Sequence, residues 1–328
     1  MMRRNLGVGI DDARDQTSLK RVPRILREQA ADAWGAHVVQ NRRVFGGYGP
    51  SVTLRLWLTD GQQFGPRFLG AVADPGWHLL LLEDLGPTCR FVPPWSLPLV
   101  ACALEDVARL HAAGMTEAAA LTEHRFPGDV MSGNWMRIRR GGPEADSLLR
   151  CLGNTPAARR WVKEALPWRE EAETRLTDPH QPWTFGHLDL RSDNMAFRAD
   201  GRLVVFDWAS AGWVPAAFDA AAFCPSLSAE SGQPAAKLWE TYRGAARARH
   251  INIPPGATRA AVAAVAGYFA ARAGLPDIPG LPRVRTVQRL QLGRALPWAA
   301  EVLGLAPPPV LRSGAPTPLG PEPDAPGD

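Results

Sequence analysis

The tightest constraint on what this chain can fold into is one short passage, from His187 to Asp207. It opens His187-Leu188-Asp189, and Asn194 follows five places after Asp189. Next come a turn at Asp200-Gly201, the apolar run Leu203-Val204-Val205-Phe206, and Asp207. Asp-Gly followed by an apolar run is the signature of a hairpin that returns into a buried strand. Such a hairpin brings Asp207 back alongside Asn194. Two oxygen-bearing side chains then share one small space beside the Asp189 carboxylate. Phosphoryl transfer needs that set: a carboxylate to orient an acceptor hydroxyl and take its proton, with an amide oxygen and a second carboxylate to hold Mg²⁺ against nucleotide phosphates. Asp189 suits the first role, and Asn194 and Asp207 suit the others. An Asp–Asn pair at this spacing is common by chance, but the added hairpin, apolar strand and terminal Asp make coincidence improbable.

The flanking sequence divides into two kinds of pattern. Val22–Trp34 reads as a short helix and Ala36–Val44 as extended chain, and Phe45-Gly46-Gly47-Tyr48-Gly49 is a glycine-rich turn. Val52, Leu54, Leu56 and Leu58 alternate with polar or outward positions, as in a half-buried strand. Arg67–Val72 and His78–Leu82 are further strands, joined at Asp74-Pro75-Gly76. After Glu83-Asp84-Leu85-Gly86 the period becomes helical, with helices expected at Leu97–Ala113, Ala157–Leu176, Pro234–Ala248, Arg259–Ala273 and Val284–Leu303. The Pro- and Gly-rich stretch from Pro307 has no apolar pattern and is expected to be disordered. The expected organisation is an N-terminal helical extension (1–35), a small β-rich lobe (36–86), a larger helical lobe (87–306) and a tail (307–328).

Composition removes several alternatives. The net charge of +4 arises without a dense Lys/Arg block, so nucleic acid is not an expected partner. No apolar run reaches the roughly 20 residues that span a bilayer, and Met1–Asn5 leads into Gly, Asp and Arg, so a cytoplasmic protein without a membrane partner is expected. Cys89, Cys102, Cys151 and Cys224 show no CxxC pairing and read as free thiols. The twelve tryptophans, Trp161, Trp168 and Trp298 among them, read as core or groove packing. His111 reads as a satisfied core or groove residue, and Arg139-Arg140 beside Gly141-Gly142 as a solvated turn.

The His187–Asp207 passage resembles the aminoglycoside phosphotransferase and choline kinase-like enzymes, distant relatives of protein kinases. Their catalytic loop usually reads H-G-D-x-x-x-x-N, and Leu188 stands here where glycine is common. The resemblance implies an α+β, two-lobed protein kinase-like fold, ATP or GTP with Mg²⁺ as cofactors, and a small-molecule hydroxyl as acceptor. It implies Asp189 as catalytic base, Asn194 and Asp207 as metal ligands, and His187 as a structural residue beneath the loop. Glu83, Asp84 and Leu85 fall where adenine would meet the linker, and Asp219 resembles a carboxylate that holds the loop. Gly46 and Gly47 fit either a phosphate-covering loop or an ordinary turn between strands.

One part of that family's nucleotide lobe has no counterpart. Its third strand carries a lysine for the α/β-phosphates, paired with a glutamate on the next helix. Residues 50–82 contain no lysine, and the chain's only lysines are Lys20, Lys163 and Lys237. Arg55 and Arg67 lie in this region, but arginine does not replace a compact ammonium simply. The sequence therefore supports two readings: an ATP-dependent small-molecule phosphotransferase with a truncated N-lobe, or a non-catalytic, nucleotide-binding relative.

Overall fold

The protein is described by a computed structural model covering residues 28, 38–43, 54–58, 68–74, 77–86, 89–116, 131–279, 281 and 283–309. Of the expected helix over 22–34 only Glu28 is described, and the Gly46-Gly47 turn and the tail from 310 lie outside the described residues.

Four strands come first: β1 (Val38–Arg43), β2 (Leu54–Leu58), β3 (Phe68–Asp74) and β4 (Trp77–Leu82). β1 pairs antiparallel with β2, and β3 with β4 across the Asp74–Trp77 turn, as two separate ladders. Only residues 59–67 separate β2 from β3, too few for another strand and a helix.

The rest is helical with two small sheets inside it. β5 (Cys89–Phe91) leads into α1 (Leu97–Thr116), and α2 (Asn134–Arg140), α3 (Pro143–Cys151) and α4 (Pro156–Thr174) follow. β6 (Trp183–Gly186), β7 (Met195–Arg198), β8 (Leu203–Val205) and β9 (Gly212–Pro215) carry the motif. Four helices close the chain: α5 (Ala216–Ser231), α6 (Ala235–Arg247), α7 (Pro255–Ala270) and α8 (Val284–Leu303). β5, β7 and β8 form one sheet, with β7 central, and β6 pairs with β9 in register Gly186↔Gly212.

The core follows from composition. α7 is dominated by Ala and Val and is buried from Ala260 through Gly267 without a break. A helix apolar all round belongs at the centre of a bundle, not on its surface. α4, α5 and α8 pack around it, and one continuous apolar cluster runs from Val92 to Ala299. Cys151 and Cys224 are buried free thiols, whereas Cys89 and Cys102 are half-buried. Trp161 and Trp298 are core residues, but Trp168 is 55% exposed, against the expectation of packing. Arg139 and Arg140 are exposed as expected, though they form the last turn of α2, and Gly141 and Gly142 make the joint to α3 with positive φ. Among the described residues no helix is long and apolar enough to cross a membrane.

Candidate active site

The motif folds as its spacing requires. Gly201 adopts φ +83° in the β7–β8 turn, a region that favours glycine. The hairpin returns the chain so that the Phe206 N–H donates to the Asn194 carbonyl at 3.0 Å. Asp207 follows directly, in the left-handed region at φ 63°, ψ 63°.

Asn194 is 2% exposed, and its Nδ2 donates to both the backbone carbonyl (2.9 Å) and Oδ2 (3.0 Å) of Asp189. Both amide hydrogens are thereby committed to one neighbour, which fixes the amide orientation and turns its oxygen the other way. The other Asp189 oxygen, Oδ1, lies 3.2 Å from Arg191 Nε, and the same nitrogen lies 3.0 Å from Asp193 Oδ1. Burial holds the Asp193 carboxyl above its usual range; Arg191 opposes this, while Asp189 and Asp207 add to it. Two carboxylates thus share one guanidinium, and a third, Asp207, is close enough to Asp193 to raise it. That surplus negative charge, beside an amide oxygen that the Nδ2 bonds to Asp189 leave unengaged by Asp189, fits a hard, oxygen-seeking cation such as Mg²⁺, which takes few protein ligands and keeps phosphate and water oxygens for the rest. No group of three His, Cys, Asp or Glu suited to a metal exists among the described residues, so a metal here needs the Asn194 oxygen and its substrate's oxygens.

The loop rests on a buried scaffold. Asp219, at the start of α5, accepts the His187 N–H (2.8 Å) on Oδ2 and the Leu188 N–H (2.7 Å) on Oδ1. His111 Nε2 lies 3.0 Å from Oδ2, and because a carboxylate only accepts, that nitrogen carries the proton. His111 Nδ1 meets the Tyr242 hydroxyl at 2.7 Å. Burial alone raises the Asp219 pKa, but the His111 hydrogen bond, the two histidines' charge and the His187 N–H outweigh it and hold the carboxyl low. His187 bonds to Phe206 O through Nε2 at 3.0 Å and accepts the Asp189 N–H on Nδ1 at 3.2 Å. It is a bridge between the two loops, as the resemblance implied. Gly186 permits the approach of Asp219, since a Cβ there would lie 2.7 Å from Asp219 Oδ2.

The linker is less engaged. Asp84 Oδ1 accepts the Gly86 N–H at 2.9 Å and closes a local turn. Leu85 is buried, and Glu83 Oε2 is buried with no hydrogen-bond partner.

Three features escaped the sequence. The segment 212–223 forms β9 and the first half of α5. α5 is buried on nearly every side from Ala216 to Ser228, so no helical period marks it. Arg191 joins Asp189 to Asp193, and its position two places after Asp189 is the signal that could have found it. Glu230 accepts from Trp95 Nε1 (2.8 Å) and from the Ser192 hydroxyl (2.6 Å), tying the post-linker segment to the catalytic loop; nothing in its spacing announces this.

The family model described as the phosphotransferase enzyme family matches residues 81–251, more than half of the chain. The chain belongs to that family. Among solved structures it is similar to a choline/ethanolamine kinase family protein of Mesorhizobium loti, at TM-score 0.50 and 14% identity over 85% of this chain and 98% of that one. It is similar also to a choline kinase of Streptococcus pneumoniae (TM-score 0.48, 13% identity, 85% and 98% covered). An aminoglycoside phosphotransferase of Alicyclobacillus acidocaldarius matches at TM-score 0.47 and 18% identity, over 71% and 73%. No match was found among curated proteins. The fold of this phosphotransferase-family chain is the mixed α+β, protein kinase-like one expected from the motif.

Proposed function

We propose that the chain is a Mg²⁺- and nucleotide-dependent phosphotransferase acting on a hydroxyl of a small molecule. The observation that carries the reading is the closed geometry around Asn194: its amide is clamped on Asp189, and its carbonyl takes the Phe206 N–H that sets Asp207 in place. Asp189 is half-exposed at the loop surface, where it can align an acceptor hydroxyl and take its proton. The Asn194 oxygen and Asp207 would hold Mg²⁺, and bound Mg·ATP would supply the phosphoryl group and neutralise its developing charge. Arg191 restrains the Asp189 carboxylate from the other side. Glu83, Asp84 and Leu85 would offer main-chain groups to adenine, and Gly46 and Gly47 would lie near the phosphates.

The rival reading, a nucleotide-binding relative without transfer, is favoured by one fact: residues 50–82 hold no lysine. Losing one positioned cation costs on the order of a hundredfold in rate.

Thermal unfolding with and without Mg·ATP tests the nucleotide site. The expected result is a Mg²⁺-dependent rise in Tm that Asp207→Ala abolishes. No rise at millimolar nucleotide removes the nucleotide-dependent reading. A rise without ATP consumption on any hydroxyl acceptor selects the non-catalytic one. Where transfer is measured, Asp189→Ala abolishes it while keeping the nucleotide-induced rise.

A further inference from the structure

α5 meets the catalytic loop at two places. Asp219 takes the His187 and Leu188 N–H groups where the loop begins. Glu230 takes the Ser192 hydroxyl hydrogen on Oε1, at 2.6 Å, near its far end. The two carboxylates are 11 residues apart (230 − 219) in one helix. Eleven residues is close to three turns, about 16 Å along the axis, so both side chains leave α5 on the same side. Between them on that side, Ala222 and Ser226 line a cavity of about 110 Å³ that Asp189 also lines.

α5 itself gives no reason for a carboxylate at position 230. Glu230 sits in the last turn, at the negative end of the helix dipole, where an acidic side chain is unfavourable. Burial also pushes its carboxyl above the ordinary range; the Ser192 and Trp95 hydrogen bonds oppose this, and Asp193 adds to it. What holds a carboxylate in such a place is its donors.

Those donors belong to two separate parts of the site. Ser192 is 7% exposed and opens the short turn Ser192–Asn194, in which its carbonyl accepts the Met195 N–H and the Asn194 N–H donates to Arg191 O at 3.0 Å. Fixing the Ser192 side chain therefore fixes the turn from which Asn194 reaches Asp189. The second oxygen, Oε2, accepts from Trp95 Nε1 at 2.8 Å. Trp95 lies between β5 and α1, and its ring meets Phe197 of β7 edge-on at 6.0 Å. One carboxylate thus joins the segment after the linker to the turn that carries Asn194.

We propose that Glu230 is a positioning residue: with Asp219 it pins the catalytic loop to α5 at both ends, and it makes the seating of the Asn194 turn depend on Trp95. The consequence for Mg²⁺ rests on the phosphotransferase reading; the pinning of the turn does not.

Hydrogen exchange on the full chain without nucleotide tests the pinning, followed at the Asn194 and Met195 amides with those of α7 as internal reference. Glu230→Ala should speed exchange at the two loop amides at least about tenfold, the factor set by one hydrogen bond to a charged group, and leave α7 unchanged. Ser192→Ala, which leaves α5 intact, should do the same. Glu230→Gln should restore most of the protection, because its oxygen takes the Trp95 N–H while its NH₂ donates to Ser192 Oγ. Trp95→Phe keeps a ring against Phe197 and loses the N–H, and should speed the same amides about threefold. Wild-type rates at Asn194 and Met195 in Glu230→Ala and Ser192→Ala overturn the proposal. Equal acceleration in α7 overturns it too, since Glu230 would then be a general stabiliser. An unchanged rate in Trp95→Phe overturns the dependence on Trp95. Thermal unfolding then reads the metal side. Glu230→Ala should need about tenfold more Mg²⁺ for half of the Mg·ATP-induced rise in Tm, and Glu230→Gln should return toward wild type. No rise in wild type removes the phosphotransferase reading, and the exchange rates still decide the pinning. A rise with an unchanged Mg²⁺ requirement upholds that reading and overturns the consequence for Mg²⁺.

Discussion

Asp219 fills both of its oxygens with loop N–H groups and the His111 ring, in a site with no solvent exposure. An Asn in its place keeps one acceptor oxygen and turns an NH₂ toward groups that can only donate. A buried donor left unpaired costs about 1–3 kcal/mol, more when a charge was involved. Asp219→Asn should therefore destabilise the protein by about 3 kcal/mol in urea unfolding. A loss below 1 kcal/mol would mean that the loop is held elsewhere. Leu188 sets two magnitudes against each other. Its φ of +63° strains a branched side chain by about 1–2 kcal/mol. The same side chain is 7% exposed, and removing a buried leucine costs about 2–5 kcal/mol. Burial wins, so Leu188→Gly should lower stability even though it relaxes the backbone. A rise in Tm would reverse that order.

At the scale of elements, periodicity decided what was legible. α1, α4 and α6 show one apolar stripe and a polar face, and the expected helices lie within a few residues of them. α7 begins four residues before its expected start, because Pro255 opens its first turn, where a missing N–H costs nothing. α8 matches the expected range. α2 and α3 are short, and α5 is buried on nearly every side with Pro225 inside it, so none offers a stripe to count. α2 depends on a distant residue that local sequence cannot reveal. Glu173 of α4 takes the Asn134 and Trp135 N–H groups on its two oxygens, each at 3.1 Å, and so caps α2. Beside it, Arg169 is 1% exposed between the rings of Trp135 and Trp161, and burial lowers its pKa to about 10. Burial also raises Glu173 to about 7, against the pull of its two N–H partners. A carboxyl raised in the folded state stabilises fully below its unfolded value of 4.5 and loses that contribution as pH rises through about 7. Wild type should lose on the order of 3 kcal/mol between pH 4.5 and 8 relative to Glu173→Gln, which cannot ionise. Equal pH slopes for the two proteins would show that Glu173 titrates normally.

Across the whole molecule, the motif's three oxygen-bearing residues, the linker and the cavity are all built on the part from Glu83 onward, around one core. The proposed site was legible because Asp189, Asn194 and Asp207 are close in sequence and joined by a single hairpin. Arg191, Asp219 and Glu230 act through charge and long-range contact, and only Asp219 was flagged, by resemblance. The absence of lysine from residues 50–82 has an electrostatic consequence. With no lysine in residues 50–82, the described cation beside the proposed site's carboxylates is Arg191, and Asp189 and Asp193 already share it. A triphosphate approaching Asp189, Asp193 and Asp207 without a divalent ion meets net repulsion, worth about 1 kcal/mol per charge at 4 Å even in water. Nucleotide binding should therefore depend on Mg²⁺ almost completely, and ATP with excess EDTA should give no rise in Tm. Asp193→Asn removes one repelling charge that is not a proposed ligand, so it should strengthen Mg²⁺-free ATP binding about fivefold by calorimetry. Asp207→Ala removes repulsion too, but it also removes a proposed ligand, so it should lose the Mg²⁺-dependent component. If Asp193→Asn instead weakened ATP in Mg²⁺ as severely as Asp207→Ala, Asp193 would be a metal ligand, and the pairing of Asn194 with Asp207 would have to be redrawn.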